Sequence, residues 1–338
     1  MDLERTDTID MNSYIDDNRT EVNFKTNTFS KFNKNEVKKT FLSELTKGRI
    51  ENACHWCAEL ICSGHLQEIW EIFLFYLGKY IYLGNPKIII YLENRWNYYQ
   101  NLIDYKSLEL RNDSLIRKLF AEIICFLCQS KKRQCIEPLK ISITEDFEVS
   151  YISTRVKAIS IEYSEGIFKK DDPKPFFIAI NEFCYSISKD VADIHSACYW
   201  IEWILEFDGI CRKKKNKEEY QCMRRHSIEV EPRYQMDVIW IIWDALFYYS
   251  KHVDPFIDKI IHSLLGLFCI HYNTTIGKKR HYLLFLATGA LIDSIDKKID
   301  LILDRNIVIH VMQQIDDVYK EIKNNNMIES SSSILLHR

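Results

Sequence analysis

Apolar residues recur at three- and four-residue intervals through most of this chain, the period of an amphipathic helix. The pattern predicts helices over 35–46, 51–63, 66–82, 87–101 and 107–129, and again over 176–190, 193–207, 234–251, 255–271, 278–292 and 307–324. In the third of these, Ile69, Trp70, Phe73, Leu74 and Leu77 form a wide apolar stripe of the kind that faces a core. Gly64 suits a helix stop, and Gly84-Asn85-Pro86 a break. Between 141 and 175 the period changes. Ile141, Ile143, Phe147, Val149, Tyr151 and then Val156, Ile159, Ile161, Tyr163 stand at roughly alternate positions, which predicts either a small β-hairpin or an irregular linker. Residues 211–232 are charged and lack an apolar face, and 1–35 and 325–338 are polar and aperiodic, as flexible ends would be.

Two stretches share a pattern. Ala53, Cys54 and Trp56 recur as Ala197, Cys198 and Trp200, and the run Ile69-Trp70-Glu71-Ile72-Phe73 as Ile239-Trp240-Ile241-Ile242-Trp243. Asn85-Pro86 then meets Asp254-Pro255, and Lys131-Lys132-Arg133 meets Lys278-Lys279-Arg280. Four matches in the same order predict an internal repeat. The expected architecture is mostly α: a first bundle over 36–140, a linker over 141–175, and a second bundle over 176–324 carrying an insertion at 211–232. Trp56, Trp70, Trp200, Trp203, Trp240 and Trp243 are expected in the cores.

Composition agrees with two helical domains. Hydrophobic residues make up 47% of the 338, and Gly (9) and Pro (6) are scarce, so there is ample core and little turn chemistry. The net charge of −3 provides no global attraction for nucleic acid or membrane. No run is long and apolar enough for a membrane span, and the first 35 residues show no signal-peptide core. An odd count of 11 Cys, mostly on apolar helical faces, points to free thiols in an intracellular, reducing compartment.

Glu51, Ala53, His55-Trp56, Leu60, Gly64, Ile69 and Tyr82-Leu83-Gly84-Asn85-Pro86, with Lys131 beyond, form a recognisable series. It resembles the C-terminal helical collar of the MgsA/RarA/Werner-helicase-interacting AAA+ ATPases, relatives of clamp loaders. The resemblance covers about a quarter of the chain, with a weaker second copy near 195–290. It implies an oligomerisation module without chemistry of its own. The ATPase of that family is not implied: there is no G-x-x-x-x-G-K-[ST], and Gly277-Lys278-Lys279 lacks both the upstream Gly and the Ser or Thr that would hold Mg²⁺. The Ile- and Asn-rich style resembles that of large-DNA-virus proteins.

Local chemistry is sparse. The insertion carries Arg212, Lys213, Lys214, Lys215, Lys217, Arg224 and Arg225 against Glu218 and Glu219, enough cations to neutralise several phosphates. With Lys131, Lys132, Arg133, Lys278, Lys279 and Arg280 they are the candidate nucleic-acid contacts. Cys211, Cys222 and His226 have ligand-like spacing for zinc but no fourth ligand in the loop. Two C-x-x-C pairs, Cys54/Cys57 and Cys125/Cys128, lie within apolar helices and read as core thiols. No catalytic motif is present, and no cofactor is expected. The expectation is a non-enzymatic assembly or adaptor protein. Its partner would be itself or a clamp-loader-type replication protein, with nucleic acid reached through the basic loop. A minor capsid or scaffold protein and an enzyme of unrecognised motif are the alternatives.

Overall fold

The structure is a computed structural model that describes residues 12–16, 19, 21–104, 110–214, 216–251 and 253–335, without the side chains of 104, 217 and 327–335. Among the described residues it is helical, with no strand element. The chain folds as two compact units. The first comprises 1–81, 94–131 and 298–338, the second 82–93 and 132–297.

The first unit is built from α1 (Lys34–Lys47), α2 (Ile50–Cys62), α3 (Leu66–Tyr76), the C-terminal part of α4 (Lys87–Asp104) and α5 (Ser114–Gln129), with α13 at the end of the chain. Local chemistry sets the ends of these helices. The Asn33 side chain caps the amides of Asn35 and Glu36, and Gly48 closes α1 at φ 71°, a left-handed conformation that costs glycine little. Asp113 caps α5 in the same way as Asn33 caps α1. The core is an aromatic cluster: Trp70 lies edge-on to Trp96 at 5.0 Å and to Phe120 at 5.9 Å, with Phe73 and Tyr99 completing it.

The flexible N-terminal tail expected over 1–35 is corrected from Asn12 onward. Ile15, Phe24 and Phe29 are buried. The Ile15 amide donates to Asn112 Oδ1, and Asn112 Nδ2 returns a bond to the Ile15 carbonyl. The buried Arg117 donates to Ser13 and to Asp316, and its guanidinium lies 3.8 Å from the Tyr319 ring. These polar clasps join residues far apart in sequence, which periodicity cannot register. Residues 1–11 lie outside the described residues.

The last helix is a second correction. Expected in the second bundle and ending at Asn324, it is α13 (Arg305–Leu335) and packs on α5 and α2 of the first unit. Val308, Ile315, Tyr319 and Ile322 are its buried face. No Gly or Pro interrupts it, so nothing local stops the helix at 324. Residues 336–338 of the expected C-terminal tail lie outside the described residues.

The second unit holds the start of α4, α6 (Val149–Arg155), α7 (Phe177–Ile187), α8 (Ile194–Cys211), α9 (Ile239–Ser250), α10 (Pro255–Phe268), α11 (Thr274–Lys279) and α12 (His281–Ile292). α8 packs on α7 and α12, and α12 on α10 and α9. Trp200, Trp240, Trp243 and Phe268 are buried among them. Gly289 marks the closest approach: a Cβ there would sit 2.0 Å from the Tyr82 hydroxyl.

Of the two outcomes expected for 141–175, the structure takes the irregular linker: no hairpin forms, and α6 lies within irregular backbone. Side chains of α7 and α8 take the bonds a partner strand would have taken. Glu182 accepts from the amides of Lys157 and Ala158, and Asn181 donates to the Ser160 carbonyl. Tyr199 and Trp203 donate to Asp146. The alternation is still visible, because Ile159 and Ile161 face solvent at 89% and 71% exposure while Ala158 and Ser160 are half-buried.

Candidate functional site

The basic insertion does not form a continuous cationic surface. Arg225 is buried, and its guanidinium makes a two-pronged pair with the equally buried Asp172 at 2.5 and 2.7 Å. Its Nε donates to Asp244 at 2.8 Å. Arg212 binds Asp208 at 2.6 Å and Asp237 at 3.0 Å. Lys213 and Lys214 are exposed, Lys214 donating to the Tyr220 hydroxyl, and Arg224 is half-buried beside Met236 Sδ. Lys215 and the Lys217 side chain lie outside the described residues. The assignment of Arg225 as a nucleic-acid contact is therefore corrected: desolvation selects paired charges, and its cation holds the loop to the core.

The two Lys-Lys-Arg runs are likewise not equivalent. Lys131, Lys132 and Arg133 follow α5, whereas Lys278 and Lys279 close α11 ahead of α12. Arg280 is buried and donates to the Phe268 carbonyl, so it too leaves the set of contact residues. Arg133 pairs with Asp293 and Lys278 with Glu206. Lys131, Lys132 and Lys279 are exposed.

The metal candidates are separated. Cys211 and Cys222 are buried, while His226 is exposed. Burial raises both thiols, Cys222 to about 12, which opposes the thiolate a metal needs. Cys222 donates instead to the Asp237 carbonyl. Among the described residues no group of three or more His, Cys, Asp or Glu is placed to hold a metal ion. Burial also raises the Cys54, Cys57 and Cys125 thiols.

What the fold does assemble is a cleft of about 470 Å³ between α8, α11 and the start of α12. Glu202, Glu206 and Arg212 come from α8 and its end, Asp237 from the turn before α9, Lys278 and Lys279 from α11, and His281 from α12. Leu205, Ile239 and Tyr272 supply apolar wall. Asp237 accepts from the Tyr272 and Thr274 hydroxyls, each at 2.8 Å. Burial raises the Asp208 carboxyl, against the pull of Arg212. Glu202 is pushed up to about 7 by burial and by the charge of Glu206, partly offset by Lys278. The cleft's cations Arg212, Lys278 and Lys279 are legible in the sequence as candidate contacts, whereas its carboxylates are not. Glu202 and Glu206 are spaced i, i+4 on α8, a signal that an ordinary solvated helix face also gives.

Two surfaces remain to be placed. A groove of about 500 Å³ is lined by Phe168, Lys169, Lys170, Lys174, Phe177 and Ile178, with the two Phe rings edge-to-face at 5.2 Å. Along the preceding linker Ile143, Val149, Ile159 and Ile161 are exposed in the second unit, as is Ile178 in the groove itself. No helix among the described residues is long and apolar enough to cross a membrane. No protein-family model, curated protein or solved structure matches the chain.

Proposed function

We propose that this is a non-enzymatic assembly protein, similar in role to a clamp-loader collar, that associates with further copies of itself through the aliphatic surface of its second unit. The observation that carries the reading is the exposure of Ile143, Val149, Ile159 and Ile161, two of them above 80%. Aliphatic side chains concentrated in one solvent-facing stretch mark an interaction surface. The collar resemblance of 51–140 points to the same role. The test is sedimentation velocity over a concentration series. Wild type is expected to associate, and the double variant Ile159→Asp/Ile161→Asp to remain monomeric with an unchanged melting temperature, because neither side chain contributes to the core. A wild type that stays monomeric throughout would remove self-assembly as the function.

Nucleic-acid docking is the second part of the proposal, moved from the 212–225 loop to the Lys169/Lys170/Lys174 groove. Three lysines flank two aromatic rings there, which is the combination that tracks a phosphate backbone and stacks bases. Binding of a single-stranded oligonucleotide across a salt series is expected to lose about two units of log–log slope, roughly 0.7 per phosphate contact, in Lys169→Ser/Lys170→Ser/Lys174→Ser. Lys213→Ser/Lys214→Ser is expected to have the smaller effect. The reverse order would return the docking site to the loop.

A further inference from the structure

The cleft between α8, α11 and α12 holds a buried carboxylate oxygen that accepts no hydrogen bond. Glu202 is 6% exposed, and its Oε1 is cut off from solvent and accepts no hydrogen bond. His281 Nδ1 lies 3.1 Å from this oxygen, an ion pair only when the imidazole carries a proton. The neighbouring charges are committed elsewhere: Lys278 to Glu206 at 2.7 Å, and Arg212 to Asp208 and Asp237. Of the charged groups on the elements packed around Glu202, α7 contributes Glu182, whose carboxylate is taken up by the amides of Lys157 and Ala158. A buried carboxylate with an oxygen that accepts no hydrogen bond is costly, and a bound cation relieves that cost.

We propose that this cleft binds one organic cation, a primary ammonium or a guanidinium, whose charged head pairs with Glu202 and whose aliphatic stem lies against Leu205, Ile239 and Tyr272. The dimensions agree, since about 470 Å³ accommodates a side-chain-sized ligand. The cation can belong to a lysine or arginine of a partner chain or to a free small amine. The cleft's own lysines stand on the α11 side, where Lys279 is exposed, so it rejects a polycation more strongly than a single charge.

The ligand pairs with ionised Glu202, so affinity follows that ionisation. With the carboxyl at about 7, binding is expected to be about tenfold stronger at pH 8 than at pH 6. The experiment is titration of the full chain with the tripeptides Gly-Arg-Gly and Gly-Lys-Gly and with n-butylamine, a single ammonium, followed by isothermal calorimetry at both pH values. Glu202→Gln keeps the shape and removes the charge. It is expected to abolish binding while melting no lower than wild type at pH 8, because the native fold raises this carboxyl and so loses stability as pH rises from about 4.5 to 7, a loss Gln does not suffer. Tighter binding of a tripeptide than of n-butylamine identifies a partner's side chain, and the reverse a free amine. Either result supports the site. Absence of binding by all three at 10 mM, or binding indifferent to Glu202→Gln, overturns it.

Discussion

Replacing Arg225 with Ala is expected to lower the stability of the second unit by about 3–5 kcal/mol, the cost of breaking a buried ion pair from one side. The guanidinium satisfies Asp172 with two bonds and Asp244 with a third. Asp172 is completely shielded from solvent. Its oxygens also accept from the Lys169 and Met223 amides, which stabilise but do not neutralise it. Removing the cation therefore leaves a buried negative charge and releases the 211–232 insertion from the core. For a unit of this size the loss corresponds to roughly 10 °C in melting temperature. Asp172→Asn in the Arg225→Ala background should recover part of it, because the residual charge is then gone. A single Arg225→Ala variant that melts within 2 °C of wild type would mean that solvent reaches Asp172, and the pair would be peripheral. The same experiment separates structure from binding. A loop arginine that contacts phosphate should reduce nucleic-acid affinity without unfolding anything, whereas Arg225 should do the opposite.

The second large effect concerns the two tryptophans that the repeat pairs. Trp200→Ala is expected to cost about 3–5 kcal/mol, because Trp200 is 2% exposed and packs against Tyr199 and Trp203 on a helix held by α7 and α12. Trp56→Ala should cost far less, about 1 kcal/mol, since Trp56 is only half-buried and lies against the exposed Phe32 at 5.5 Å. Urea denaturation of the two variants measures the difference directly. Equal losses would restore Trp56 to the core and make the two positions structurally equivalent. The expectation that both are core residues is corrected here by the structure. An i, i+3 spacing from Ala53 puts Trp56 beside the buried face of α2 rather than on it, and Phe32, which comes from outside the periodic region, covers it in part.

Legibility followed the range of the interactions. Helix positions, the stop at Gly64 and the buried faces around Trp70 and Trp240 rest on contacts within a few residues, so the sequence pattern carries them. The alternating Ile and Val of 141–161 were also legible as an alternation, but not as its outcome. The same pattern serves a strand that pairs and an extended segment pinned by Glu182 and Asn181. Cations were legible as cations, without their partners. Arg212, Arg225 and Arg280 look alike in sequence to Lys213 and Lys214, and differ because Asp208, Asp237, Asp172 and the Phe268 carbonyl come to meet them.

By itself, then, the sequence determined that this protein is helical, where most of its helices run, and which apolar stripes they bury, because helix formation and amphipathicity are local and periodic. Only the tertiary structure decided that the final helix joins the first unit, that the segment from Asn12 is clasped by Asn112 and Arg117, and that two of the loop's expected contact groups, Arg212 and Arg225, are counterions to carboxylates of this chain. It alone also brought Glu202, Lys278 and His281 into one cleft. Each of these depends on desolvating a charge or an apolar face against residues dozens to hundreds of positions away, and no periodicity in a chain encodes which distant group will be there.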